Sequence, residues 1–275
     1  MRKALICIYA VLTVLYAGAA SIPERQDSTS LRNRVLEQMD AYLEAMDHMD
    51  IKDAEEEADF MISCVQDSSL RNDVAEKAYW HFRDSKVMGS ENVAVHIFDR
   101  WFENFDAVFN NIDDFEEAKF YAYINRRSLI GAKAEQLTFI NENGDSLSIP
   151  FPNGRRSIIY FYSTSCPKCL YTSIRLRELF RTLNPDVDFF AIYAGEDDTA
   201  WASYRKRELD ISSSDGAVYH LRGADDDFVG AYGVIQTPRL FLLSGDNTII
   251  GRNLDANALS TLLCGIVHNF VENSR

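Results

Sequence analysis

The sequence predicts an all-helical region, residues 21–127, followed by an α/β domain, residues 128–275, in which helices cover a sheet. Two patterns carry this reading. Apolar residues recur at three- and four-residue spacing up to about Arg127, and beyond it short apolar strands alternate with helical stretches. With 275 residues and 47% apolar content, each region has enough apolar sequence for a core.

In the first region, Leu31, Val35, Met39, Tyr42, Leu43 and Met46 mark one helical face. Further helices are predicted over about Ala54–Gln66 and Leu70–Phe82. A fourth carries Ala94, Ile97, Phe98, Trp101, Phe102, Phe105 and Phe109 on one side, and a fifth runs over about Asp114–Asn125. The aromatic residues are read as core or seam. Acidic Glu55-Glu56-Glu57 reads as a solvated face, and His48, His81 and His96 lack the neighbours that metal spacing requires.

In the second region, Gln136–Ile149 reads as two strands around Asn143-Gly144, a dipeptide favoured in tight hairpins. A strand at Ser157–Tyr162 leads to a helix over Cys166–Leu183. Next come a strand at Val187–Tyr193, a helix over Asp197–Leu209, a strand near Ala217–His220 and a short helix near Asp226. Strands at Arg239–Leu243 and Thr248–Arg252 and a helix over about Asp255–Phe270 complete the set. On the helix after Cys166, Leu170, Ile174, Leu179, Phe180 and Leu183 are expected to face the sheet, and Arg175, Arg177 and Arg181 water.

Residues 1–20 read as an export leader. Arg2 and Lys3 precede the apolar run Ala4–Ala17, and Ala17-Gly18-Ala19-Ala20 offers small residues for cleavage. The run falls short of the roughly 20 residues that span a bilayer, and Cys7 lies inside it behind bulky Ile6, so neither a membrane nor a lipid anchor is expected. The formal net charge of −14, more acidic still without the leader, argues against nucleic acid as a partner.

The chemistry centres on Cys166-Pro167-Lys168-Cys169, between an apolar strand and an amphipathic helix. At a helix N-terminus, unpaired N–H groups and the helix dipole favour a thiolate, and Lys168 adds a cation, so Cys166 is the expected nucleophile. Pro167 is tolerated in the first turn and stiffens it. Cys169, one turn on, is expected to be more buried and to resolve the mixed disulfide. A zinc site would need a second close pair, whereas Cys64 and Cys264 are isolated and read as buried apolar residues or a structural bridge. A peroxidase would need a Pro-x-x-x-Thr-x-x-Cys pattern, which the chain lacks. Neither a metal nor an organic cofactor is implied.

The leader, Leu129-Ile130-Gly131 before the hairpin, the strand-then-CPKC segment, and Gly233-Val234-Ile235-Gln236-Thr237-Pro238 before a two-strand hairpin around Ser244-Gly245-Asp246-Asn247 together resemble the TlpA-like branch of the thioredoxin superfamily. The resemblance covers about residues 128–275. It implies a thioredoxin-like central mixed sheet flanked by helices, with Cys166 attacking and Cys169 resolving. It also implies a cis-proline at Pro238 facing the dithiol, with the Thr237 backbone pairing with the substrate chain. Gly195-Glu196-Asp197-Asp198 with Trp201 looks like the family's strand-to-helix connection, read here as a helix cap with a packing tryptophan.

Two positions depart from the family pattern. Tyr160 stands where thioredoxins carry a buried aspartate, and Thr172 where some TlpA-like proteins carry a glutamate. Water, the Tyr160 hydroxyl or a distant carboxylate is left to accept the Cys169 proton, or exchange is slower.

The expected activity is thiol-disulfide exchange in the periplasm, reducing disulfides of envelope proteins or of haem-ligand cysteines with electrons from a membrane donor. A disulfide oxidase or isomerase, and a non-catalytic binding protein built on the same scaffold, are the alternatives.

Overall fold

The computed structural model describes residues 26–213, 216–223 and 227–273. The expected leader, with Cys7, and Asp226 lie outside them. The chain forms two compact units that divide between Ala122 and Tyr123. No helix of the described residues is long and apolar enough to cross a membrane.

The first unit is helical: α1 (Gln26–Met46), α2 (Ile51–Ser63), α3 (Ser68–Asp84), α4 (Ser90–Ile97) and α5 (Ile112–Asn125), the last running past the division. Asp67 caps α3 by accepting from the Leu70 N–H at 2.8 Å. Leu43, Met46, Ala58, Ile62, Tyr79, Phe82 and Ile97 are buried in its core.

The fourth predicted helix is shorter than its aromatic pattern suggests. Phe98–Phe102 is a π turn, where the Glu103 N–H reaches back to the Phe98 carbonyl, and Phe105 then takes φ 60°. That break throws Phe105 outward, 73% exposed, while Phe109 returns from the following loop to stack on Phe102 at 4.0 Å between ring centroids.

The acidic run on α2 is only partly solvated, because Glu55 and Glu57 are half-buried and Glu57 accepts from the Tyr42 hydroxyl. His96 meets Asp59 at 3.0 Å, and the Trp101 indole donates to the same carboxylate at 2.7 Å; His81 meets Asp47 at 3.2 Å.

Among the described residues, the second unit holds a seven-stranded mixed sheet, ordered β2-β1-β5-β4-β3-β6-β7. The strands are β1 (Leu137–Asn141), β2 (Ser146–Ile149), β3 (Ser157–Tyr162), β4 (Asp188–Tyr193), β5 (Val218–Gly223), β6 (Arg239–Leu243) and β7 (Ile249–Gly251). The β1–β2 hairpin turns at Gly144, φ 89°, with the Asn141 side chain accepting from the N–H groups of Asn143 and Asp145.

Central β3 pairs parallel with β4 and antiparallel with β6 and is buried on both faces. Its alternation separates two cores. Ile158, Tyr160 and Tyr162 join Cys169, Leu176, Trp201 and Leu259 on one face, while Ile159 and Phe161 join Phe139, Phe190, Tyr232 and Phe241 on the other. The first core draws on α6 (Pro167–Leu183), α7 (Asp198–Glu208) and α9 (Ala256–Asn273), and the second on α8 (Phe228–Tyr232).

Helix α6 keeps part of the predicted face: Leu179 and Phe180 are buried as expected, but Cys169, Ser173 and Leu176 join them while Leu170, Ile174 and Leu183 are among the exposed apolar residues. The inward face thus includes a small polar residue, Ser173, that apolar counting passes over.

Candidate active site

Strand register brings the two sequence motifs together. Antiparallel pairing sets Phe161 opposite Arg239, so the C-terminal end of β3 lies beside the N-terminal end of β6, and Pro238 stands next to the segment leading to Cys166. Gly233 ends α8 at φ 67°, where a Cβ would meet the Ile124 carbonyl oxygen at 2.8 Å, so this approach to Thr237 needs glycine. The Thr237–Pro238 peptide bond is cis, as is Ile149–Pro150, which the sequence reading did not single out.

Cys166 is the N-cap of α6 and Pro167 its first residue. The Cys169 N–H donates to the Cys166 sulfur at 3.3 Å, and the Cys166 thiol donates to the Thr237 carbonyl at 3.4 Å. Cys166 is half-buried and Cys169 fully buried, and both are free thiols. The structure therefore gathers Cys166, Cys169, Thr237 and Pro238 at one place.

The two sulfurs are unlike. Burial pushes the Cys166 thiol up, but hydrogen bonds from the Cys169 thiol and N–H outweigh it and leave the group below its ordinary value. Burial, then the neighbouring Cys166, pushes Cys169 up to about 11. The pair thus sets a half-buried thiol that ionises more readily beside a buried one that holds its proton.

Beside the dithiol lies an open groove of about 510 Å³, lined by Pro167, Lys168, Tyr171, Arg175 and Pro238. Lys168 is exposed, and Thr172 also borders the groove. Cys64 is half-buried and Cys264 exposed, both as free thiols, so Cys264 is not the buried apolar residue its neighbours suggested.

Beneath Cys169, the Tyr160 hydroxyl donates to the Cys169 carbonyl at 2.9 Å and meets the Ser173 hydroxyl at 3.1 Å; Ser173 meets the Tyr204 hydroxyl at 3.0 Å. Burial pushes the Tyr160 hydroxyl far above the ordinary tyrosine range, so it is a donor rather than the proton acceptor considered from sequence. Ser173 and Tyr204 went unnoticed in the sequence. Ser173, one helical turn after Cys169, had a readable spacing, whereas Tyr204 arrives from another helix and gave no local signal.

Asp197 caps α7, accepting from the N–H groups of Thr199 and Ala200 at 3.0 and 2.9 Å, and Trp201 packs in parallel on Tyr193. Both match the structural reading of that segment.

No family model and no curated protein matches the sequence. Solved structures resemble it in fold. A thioredoxin-like protein from Bacteroides caccae aligns with a TM-score of 0.60 at 16% identity, over 84% of this chain and 83% of that one. The thioredoxin domain of a thiol-disulfide oxidoreductase from Bacteroides vulgatus gives 0.44 at 15% identity, over 50% and 97% of the two chains. A thiol-disulfide oxidoreductase from Bacteroides fragilis gives 0.42 at 20% identity, over 49% and 98%. By the first of these alignments and by its own mixed sheet flanked by helices, the chain has a thioredoxin-like fold, with helices in its N-terminal region.

Proposed function

We propose that the protein is a thiol-disulfide oxidoreductase that reduces disulfides of envelope proteins in the periplasm. One observation carries this reading: the Cys166 sulfur, at the N-cap of α6, receives the Cys169 N–H at 3.3 Å and faces the Thr237 carbonyl at 3.4 Å. A nucleophilic thiol, a buried partner thiol one turn away and a backbone edge for a substrate chain are the parts that exchange requires.

Cys166, as thiolate, attacks one sulfur of the substrate disulfide, and the other substrate sulfur leaves with the electron pair. Cys169 then attacks Cys166, forming the intramolecular disulfide and releasing the second substrate thiol. Thr237 and Pro238 hold the substrate chain against the sulfurs, while Pro167 stiffens the first turn and Lys168 adds positive charge near Cys166. A membrane electron donor returns the dithiol to its reduced form.

The deciding experiment is the equilibrium reduction potential of the Cys166–Cys169 pair, read by alkylation after incubation in defined thiol buffers. A value near or below about −230 mV supports the reductase, and one near or above about −180 mV turns the reading to an oxidase or isomerase. If no disulfide forms at any poise, the chain is a binding protein on this scaffold.

A further inference from the structure

The buried thiol Cys169 needs to become a thiolate when it resolves the mixed disulfide. The titratable groups that act on it are Cys166 at the start of the same helix, Tyr160 from β3 and Tyr204 from α7; Glu208, at the end of α7, acts on Tyr204. What lies closest beneath the Cys169 turn is a file of hydroxyls. Tyr160, Ser173 and Tyr204 are all buried, and their oxygens stand at 3.1 and 3.0 Å from one another in sequence order.

The direction of that file follows from proton counting. A carbonyl only accepts, so Tyr160 spends its one proton on the Cys169 carbonyl. Tyr160 must then accept from Ser173, and Ser173, its proton spent, must accept from Tyr204. The hydrogen bonds run one way, Tyr204 to Ser173 to Tyr160 to Cys169. Stacking of Tyr160 on Tyr162 and of Tyr162 on Tyr204, at 5.4 and 5.2 Å between centroids, keeps the rings in register. Aligned donors in a buried site reinforce one another, and their positive ends point toward the turn that carries Cys169.

We propose that Tyr160, Ser173 and Tyr204 are positioning residues, a one-way hydroxyl chain that fixes the turn carrying Cys169 and favours its thiolate in the resolving step. The proposal rests on the redox reading above. In the step, the Cys169 sulfur attacks the Cys166 sulfur, the Cys166–Cys169 bond forms and the bond from Cys166 to the substrate sulfur breaks. The electron pair goes to the departing substrate sulfur, which also takes up the proton that Cys169 loses. Over the two attacks together the dithiol is oxidised by two electrons and the substrate disulfide reduced by two, with no further acceptor.

The test uses the full chain with Tyr160→Phe, Ser173→Ala and Tyr204→Phe. The first readout is the pH dependence of iodoacetamide labelling at Cys169 in the Cys166→Ala background, followed by mass spectrometry. Tyr160→Phe is expected to raise the midpoint by roughly half a pH unit, because it removes an aligned dipole that ends on the Cys169 carbonyl beside the sulfur, and Tyr204→Phe by less. The second is resolution of a preformed mixed disulfide between Cys166 and a small aromatic thiol, expected to slow about threefold in Tyr160→Phe while the first attack by Cys166 keeps its rate. An unmoved or lowered midpoint, or equal slowing of both steps, overturns the proposal. Should Tyr160→Phe fail to fold by circular dichroism, Ser173→Ala and Tyr204→Phe face the same criteria. If the wild type never resolves a mixed disulfide, the redox reading fails, and the labelling midpoint still decides the hydroxyl chain.

Discussion

The Cys166 thiol donates to the backbone carbonyl of Thr237 at 3.4 Å, joining two segments 71 residues apart in sequence. Antiparallel pairing of β3 with β6 makes the contact, because it lays the strand that ends before Cys166 against the strand that begins after Pro238. The sulfur of Cys166 consequently lies against the backbone at the start of β6.

That placement assigns the two sulfurs different fates on substitution. Cys166→Ser is expected to abolish exchange with a peptide disulfide, whereas Cys169→Ser is expected to keep the first attack and accumulate a covalent adduct on Cys166. Intact-mass spectrometry after non-reducing quench distinguishes them. An adduct on Cys169 in Cys166→Ser would reverse the roles.

The pH profile follows from the opposite shifts of the pair. The thiolate is the reacting form, so labelling speeds up as pH rises through each group's pKa. Cys166 is lowered from 9.0, and its labelling is expected to reach half-maximum below pH 9, falling about tenfold per unit at more acid pH. Cys169, pushed up to about 11, is expected to stay unlabelled at pH 8. Peptide mapping after brief iodoacetamide treatment reads both positions, and faster labelling of Cys169 at pH 8 would contradict the assigned asymmetry.

Much of this architecture was legible because it rests on local pattern. β3 was read with its observed bounds from an unbroken apolar run, and α6 from its amphipathic periodicity after the CPKC motif. The errors arose where a partner distant in sequence decides. Part of the face of α6 was misread because Ser173, a polar residue, is buried with bonds to Tyr160 and Tyr204 on the same side as Leu176, Leu179 and Phe180, while Leu170 and Ile174 lie toward solvent. The aromatic run through Phe109 looked like one helix because periodicity alone does not reveal a π turn.

The corrected face of α6 gives a paired stability prediction. Leu176 is fully buried among Tyr160, Leu179 and Phe180 of the same core, whereas Leu170 is 39% exposed. Leu176→Ala is expected to cost about 2–5 kcal/mol by lost burial and a residual cavity, and Leu170→Ala less than about 1 kcal/mol. Urea unfolding of the reduced protein separates the two. Equal losses would restore the face drawn from apolar spacing alone.

The cap of α7 makes a smaller demand on the same measurement. Asp197 satisfies two N–H groups of the first turn that have no partner within the helix, and its negative charge sits at the positive end of the helix dipole. Asp197→Ala removes both effects and is expected to cost about 1 kcal/mol, while Asp197→Asn keeps an accepting oxygen and is expected to lose less. Because Trp201 and Tyr204 are carried by this helix into the core beneath the dithiol, fraying at its start has a second expected consequence. Hydrogen exchange at the N–H groups of Thr199 and Ala200 should quicken in Asp197→Ala, with the resolving step slowed by less than in Tyr160→Phe. Unchanged exchange at both amides would mean that the carboxylate does not hold this end of the helix.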